Sequence, residues 1–277
     1  MISGRTVLVA HIGYPTEAFK APMIYNPYFE QAGVDAVVVP MGVRADDYPD
    51  FLRRLVAVTN LRGALVTMPH KVTTVALADE VTPTAAIAGA ANALLRTPAG
   101  TLVADMFDGE GFVRGVLRKG RRLAGASALV VGSGGVGCAI AASLAAAGVA
   151  RLGVFDAVPA SAEALGERLT RHYADLAVTT GSNDPAGWDV VVNATPLGMK
   201  PGDPLPVDMA RLDPGTFVGE VVMKEAVTPF LRAARERGCD TQVGTDMLFE
   251  QIPAYLEFFG FPTTTPENLR AVARLEY

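Results

Sequence analysis

Short apolar runs alternate along this chain with longer stretches of helical spacing, which predicts an open, largely parallel sheet with helices on both faces. In the first third, strands are expected at Thr6–Ala10, Ala36–Val39 and Gly63–Val66, with helices at Pro22–Gln31 and Asp46–Thr59 between them. Pro22 suits a first helical turn, where its missing N–H would have no intrahelical acceptor. A second series begins near Ser127. There Ala128–Val131 enters a glycine-rich turn and Cys138–Ala147 follows as an Ala-rich helix. Further strands are expected at Leu152–Phe155, Ala177–Thr179, Val190–Val192, Phe217–Val222 and Thr241–Val243. The stretch Met247–Tyr277 reads as helical with a break at Phe261-Pro262. The fold class is α/β, in two domains.

Composition narrows the function more than the fold. The chain has 277 residues, 50% of them hydrophobic, which excludes a disordered protein and suits two domains. Lys and Arg number 24 against 29 Asp and Glu, a net charge of −5 with no long run of one sign. That balance disfavours nucleic acid and anionic membrane surfaces as partners. Val136–Ala150 is shorter than the roughly 20 residues of a spanning helix, and Thr6–Ala10 is too short for a signal-peptide core. A cytoplasmic location is expected. Cys138 and Cys239 lie far apart, as do His11, His70 and His172, so neither a disulfide framework nor a zinc site is expected.

Gly132-Ser133-Gly134-Gly135-Val136-Gly137 has the Gly-x-Gly-x-x-Gly spacing, between an expected strand and an expected helix. Gly132 permits the tight turn, Gly134 lets a pyrophosphate approach the backbone, and Gly137 lets helix and strand pack closely. Together with Gly135 and Val136, these residues form a candidate dinucleotide site at a helix N-terminus. A glycine-rich turn without a ligand would carry the same letters. Asp156 ends the next strand, where this fold places a ribose-binding carboxylate that would repel a 2′-phosphate. NAD is therefore expected over NADP, although a solvated loop aspartate is the plain alternative. Asn193-Ala194-Thr195-Pro196-Leu197-Gly198-Met199 follows Val190–Val192 at the carboxyl end of the sheet, where ligands bind.

Reducing a ketone by hydride builds negative charge on its oxygen, so the site needs a proton donor beside the nicotinamide. Thr67-Met68-Pro69-His70-Lys71 follows the strand Gly63–Val66 and offers Lys71, which also fits a solvated lysine in a first helical turn. Asp105 and Asp108 precede an expected helix, a place where aspartate commonly caps.

The stretches 63–71, Ala88-Gly89-Ala90-Ala91-Asn92 and Asp108-Gly109-Glu110-Gly111 resemble, in order and spacing, the substrate domain of the shikimate/quinate dehydrogenase family. The glycine fingerprint, the 193–199 motif, Thr228-Pro229-Phe230 and the run from Gly244 to Gln251 extend the likeness over nearly the whole chain. The resemblance implies Lys71 and Asp108 as the acid/base pair and Thr67, Asn92 and Gln251 as contacts to substrate hydroxyls. It implies Asn193, Thr195 and Met247 as cofactor contacts beside the fingerprint. It further implies a substrate-binding domain over 1–107, a Rossmann domain over 108–243, and helices over 244–277 that return to the first domain. The partner is then a small cyclic hydroxy compound, and the protein a monomer or homodimer.

Several departures from the family pattern turn polar contacts apolar. Phe19 and Ala21 stand where the family has a Ser-x-Ser pair for the substrate carboxylate. Leu65, Met106-Phe107 and Met223 replace other polar or aromatic residues of the pattern. Burying a carboxylate without donors costs several kcal/mol, so a changed ring substrate is expected unless Lys20 or Tyr25 supplies the contact. A nucleotide-sensing protein with little catalysis is the alternative, opposed by the retention of Lys71, Asp108, Thr67, Asn92 and Gln251 together.

Overall fold

The computed structural model describes residues 2–17, 19–225 and 227–275. The chain divides into two compact units, one ending at Phe107 and resuming at Ile252, the other spanning Asp108–Gln251.

In the first unit the order is β1 (Val7–Gly13), α1 (Pro22–Ala32), β2 (Ala36–Gly42), α2 (Tyr48–Leu55), β3 (Leu61–Val66), α3 (Lys71–Leu77), β4 (Glu80–Val81), α4 (Pro83–Ala88), β5 (Ala93–Arg96) and β6 (Leu102–Asp105). The strands form one sheet in the order β2-β1-β3-β5-β6-β4. It is mixed, because β5 runs antiparallel to both β3 and β6. The hairpin β5–β6 and the short β4 go beyond the three strands expected from the sequence. The helix expected over Asp46–Thr59 shrinks to α2, whose amphipathic face buries Tyr48, Leu52 and Leu55.

The second unit continues with α5 (Asp108–Arg118), β7 (Ser127–Val131), α6 (Gly135–Ala146), β8 (Arg151–Phe155), α7 (Pro159–His172), β9 (Ala177–Thr180), β10 (Val190–Asn193), β11 (Phe217–Glu220), α8 (Pro229–Glu236) and β12 (Thr241–Gln242). Its sheet has the order β12-β11-β10-β7-β8-β9 with every pair parallel. That is the doubly wound dinucleotide-binding order, and the strand order reverses between β7 and β10, where such sheets hold ligands. Both strands are apolar because they are covered on both faces: Ala128–Val131 and Val190–Asn193 are fully buried.

The chain closes with α9 (Gly244–Phe259) and α10 (Pro266–Val272). Thus α9 starts three residues before the expected helical stretch, and residues 261–265 carry no helix, consistent with the break at Pro262. The last two residues of that stretch, Glu276 and Tyr277, lie outside the described residues. Among the described residues no helix is long and apolar enough to cross a membrane.

Candidate active site

In the second unit the glycine turn is built by contact. Gly132 has φ +104°, which only glycine adopts readily, and a Cβ there would meet the Ala194 carbonyl at 2.8 Å. A Cβ at Gly137 would overlap the Gly132 carbonyl oxygen. Gly134 and Gly135 are different: a side chain at either would enter open space. The turn is therefore closed where helix meets strand and open where a ligand would approach. The first-turn N–H groups of α6 lack intrahelical acceptors, which suits a pyrophosphate.

Two neighbouring segments fix this turn. Ser133 donates to Asp156 Oδ2 through its backbone N–H at 2.7 Å and through its hydroxyl at 2.9 Å, while Oδ1 accepts from Val158 N–H at 2.9 Å. Burial alone would raise the Asp156 carboxyl, but these bonds outweigh it and hold it below the usual range. On the other side, Ala194 N–H donates to Val131 O at 2.8 Å, which seats the 193–199 loop against the turn. Asn193 Oδ1 accepts from both the N–H and the hydroxyl of Thr195, at 3.1 and 2.6 Å.

Asp108 opens α5 and is buried. The glycines after it explain how that helix is held. A Cβ at Gly109 would overlap the Ala139 carbonyl of α6, and one at Gly111 would lie 2.5 Å from Met247 O and 2.6 Å from Gln251 Cβ in α9. Helix α5 is thus gripped from two sides, with Gln251 beside its first turn. Gln251 Oε1 is a buried acceptor with no partner among the described residues. Leaving it so costs about 1–3 kcal/mol, a cost that a ligand hydroxyl would relieve. Lower on α9, Glu250 pairs with Arg118 at 2.6 Å and Asp246 with Lys119 at 3.1 Å.

In the first unit Lys71 begins α3, directly after the loop leaving β3. Its neighbour His70 is buried, stacked on Tyr48 at 4.0 Å, and donates from Nε2 to Val43 O at 2.9 Å. Thr74 donates to His70 O at 2.9 Å and accepts from the Tyr48 hydroxyl at 2.7 Å. The backbone that carries Lys71 is therefore anchored. Lys71 O accepts Ala91 N–H at 2.8 Å, and the next residue, Asn92, accepts Phe107 N–H on its side-chain oxygen at 2.8 Å. Asp105 ends β6, where Oδ1 accepts from Thr82 Oγ1 at 2.6 Å and from Met106 N–H at 2.7 Å.

Thr67 and Phe19 share a wall of this unit. A Cβ at Gly13 would overlap Thr67 Cγ2 and lie 2.8 Å from Phe19 Cζ. The Phe19 ring stacks on His11 at 4.1 Å between centroids. Burial pushes the His11 imidazole down to about 4, so it is neutral near pH 7. Ala21 heads α1 and gives it no side-chain cap. The Tyr25 hydroxyl is buried without a partner among the described residues, and burial raises its pKa well above the ordinary value. Lys20 is half-buried.

The shikimate dehydrogenase substrate binding domain model matches residues 11–94. Shikimate dehydrogenase (NADP(+)) of Acidiphilium cryptum is 35% identical over 99% of this chain and 98% of its own. The chain belongs to the shikimate dehydrogenase family. It is accordingly an oxidoreductase of that family with a Rossmann fold. A second family member, shikimate dehydrogenase (NADP(+)) of Rubrobacter xylanophilus, is 37% identical over 90% of this chain and 89% of its own. Among solved structures, shikimate 5-dehydrogenase of Listeria monocytogenes in complex with shikimate and NAD superposes with a TM-score of 0.91 at 27% identity, covering 98% of this chain and 97% of that one.

The family corrects one expectation. NAD was expected over NADP on the strength of Asp156, yet both curated family members above are named for NADP(+). The physical reason lies in the turn. Both Asp156 oxygens already accept bonds from Ser133 and Val158, so this carboxylate serves its own loop and its presence does not dictate the cofactor.

Three residues that shape the site receive no role from the sequence alone. Glu220 and Thr228 form a buried pair behind Asn193, and His70 anchors Lys71. A lone acid in the apolar run Phe217–Val222 was the available signal for the first.

Proposed function

We propose that this protein moves a hydride between NADP(H) and a ring carbon of a shikimate- or quinate-like cyclic polyol, with Lys71 and Asp108 as the acid/base pair. The observation that carries this reading is the pair of bonds that ties Lys71 O to Ala91 N–H and Asn92 Oδ1 to Phe107 N–H. Through them the backbone of the proposed acid and the residue preceding the proposed carboxylate are fixed to one short segment, residues 91–92.

In the reducing direction, the Lys71 ammonium gives a proton to the ketone oxygen as charge develops there; in oxidation its amine holds and takes the hydroxyl proton. Asp108 orients that amine. Thr67, Asn92 and Gln251 bind the remaining ring hydroxyls, and Gln251 Oε1, without a partner among the described residues, fits such a donor. Gly132, Gly134, Gly135, Val136 and Gly137 would hold the pyrophosphate, and Asn193, Thr195 and Met247 would be further contacts to the cofactor. When bound, the dinucleotide would supply or accept the hydride.

The reading is tested by following NADPH absorbance while shikimate, quinate and carboxylate-free cyclic polyols are offered with NADP. Turnover of at least one ring alcohol, lost in Lys71→Ala, is the expected result. No turnover across the panel by protein that binds NADPH would overturn it.

A further inference from the structure

Glu220 ends β11 with 1% of its surface exposed, a carboxyl that the catalytic reading does not use. It stands opposite Asn193 in the parallel register of β10 and β11, so both side chains leave the sheet on one face at its carboxyl edge. The Thr228 hydroxyl donates to Glu220 Oε1 at 2.5 Å while accepting Leu231 N–H at 3.3 Å as the N-cap of α8. Glu220 Oε2 faces Asn193 Nδ2 at 3.5 Å. The same Nδ2 donates to Leu197 O at 3.0 Å, and Asn193 Oδ1 takes both Thr195 donors.

These bonds define which way the Asn193 amide points. An amide has one donor end and one acceptor end of nearly equal shape, and its orientation is set by what surrounds it. An acceptor behind Nδ2 commits the donor end to Leu197 and Glu220 and leaves the acceptor end for Thr195. Flipping the amide would set two oxygens against each other at Glu220 and two donors against each other at Thr195. The consequence reaches the nucleotide turn directly, since Ala194 and Thr195 are the residues that a Cβ on Gly132 would strike.

We propose that Glu220 is a positioning residue for the nucleotide site: acting through Asn193, it holds the 193–199 loop against the glycine turn in the shape that receives the dinucleotide. This rests on the reading that the turn binds NADP(H). Stability alone gives little reason for an acid here, because a buried charge carries a desolvation penalty that a well-packed apolar side chain avoids. Burial indeed pushes the Glu220 carboxyl upward, against the bonds from Thr228 and Asn193 that pull it down. The group's worth is in what it orients.

The test is NADPH binding, read by fluorescence titration without second substrate, in the wild type, Glu220→Gln, Glu220→Ala and Thr228→Val, each with a melting curve. Glu220→Gln keeps the volume but offers one acceptor to two donors, and its Kd for NADPH rises several-fold. Glu220→Ala weakens binding by about tenfold or more, the loss of a bond to a charged group. Thr228→Val moves Kd in the same direction by less. At saturating NADP, the KM for the ring substrate stays near the wild-type value in all three. A merely structural residue would lower the melting temperature and leave the Kd of folded protein unchanged. That result for Glu220→Gln overturns the inference, and if Glu220→Ala does not fold, Glu220→Gln and Thr228→Val decide. Wild-type protein that fails to bind NADPH would overturn the nucleotide reading and this inference with it, whereas wild-type binding with unaltered variants overturns this inference alone.

Discussion

The side-chain oxygen of Asn92 accepts the backbone N–H of Phe107 at 2.8 Å, one residue before Asp108. Both residues are buried, so the bond cannot be exchanged for water. Asn92→Leu strands the Phe107 N–H at a cost of about 1–3 kcal/mol. The expected outcome is a lower urea midpoint together with a fall in kcat/KM of more than about tenfold, because the segment that leads into Asp108 loses its tether and the ring loses the proposed Asn92 contact. Loss of stability with unchanged kcat/KM would show that Asn92 supports only the fold.

Lys71 serves the proposed proton transfer, where charge on the substrate oxygen exists mainly in the transition state. Lys71→Ala should therefore lower kcat by about 10²–10⁴-fold, the usual worth of general acid–base catalysis, while the NADPH Kd stays unchanged. Stopped-flow and steady-state absorbance of NADPH read both quantities. An unchanged kcat removes Lys71 from the chemistry.

Phe19 occupies the wall beside Thr67, with its ring tip against Gly13 and its face stacked on the neutral His11. Neither Phe19 nor Ala21 offers a hydroxyl, so neither side chain can hydrogen-bond a substrate carboxylate. In the double variant Phe19→Ser/Ala21→Ser, the KM for shikimate should fall by about tenfold or more, as one bond to a charged group would give. The kcat for carboxylate-free polyols should not rise. An equal or higher KM for shikimate in the folded double variant counts against this wall as the carboxylate end of the site.

The expected strands and the glycine fingerprint came from apolar runs and spacing, and those signals are local. The hairpin β5–β6 has no clear sequence signal because each strand has only four residues, and Ala93-Leu94-Leu95 shows no alternation: Ala93 and Leu94, which point to opposite faces of the sheet, are both buried. The ladder of β11 stops at Glu220 instead of running to Val222, since its partner β10 ends at Asn193. Asp156 was visible at its strand end, but nothing in the sequence tells that Ser133, more than twenty residues earlier, takes up its oxygen. The same is true of Thr228 and Glu220. Residue types and their order were legible; which polar group spends its bonds on which neighbour is decided by the folded chain.

Burial holds the His11 imidazole at about 4, below the ordinary 6.5. The folded state thus binds this proton less readily than the unfolded state does. Its contribution to stability is complete above pH 6.5 and is lost as pH falls from there toward 4, by up to about 3 kcal/mol. Burial lowers His70 as well, in the same sense. Urea midpoints measured at pH 7, 5.5 and 4.5 should fall steadily, and His11→Phe, which keeps a ring against Phe19, should flatten that fall. A wild-type slope retained in the variant would assign it to other groups.

Gly134 and Gly137 stand three residues apart in one turn and should answer the same substitution in opposite ways. A methyl group at Gly137 overlaps the Gly132 carbonyl oxygen, and backbone cannot yield as a flexible side chain does. Gly137→Ala is expected to destabilise by at least the 1–3 kcal/mol typical of overpacking. Gly134 has ordinary extended torsions, φ −69° and ψ −175°, and open space around a would-be Cβ. Gly134→Ala should melt like the wild type. It should nevertheless weaken NADPH binding, since the added methyl stands where the pyrophosphate must approach the N–H groups of α6. Melting curves and NADPH titrations on the two variants separate the roles: stability lost at 137, affinity lost at 134. If Gly134→Ala bound NADPH with wild-type affinity, the turn would be a helix–strand junction and the dinucleotide would have to bind elsewhere.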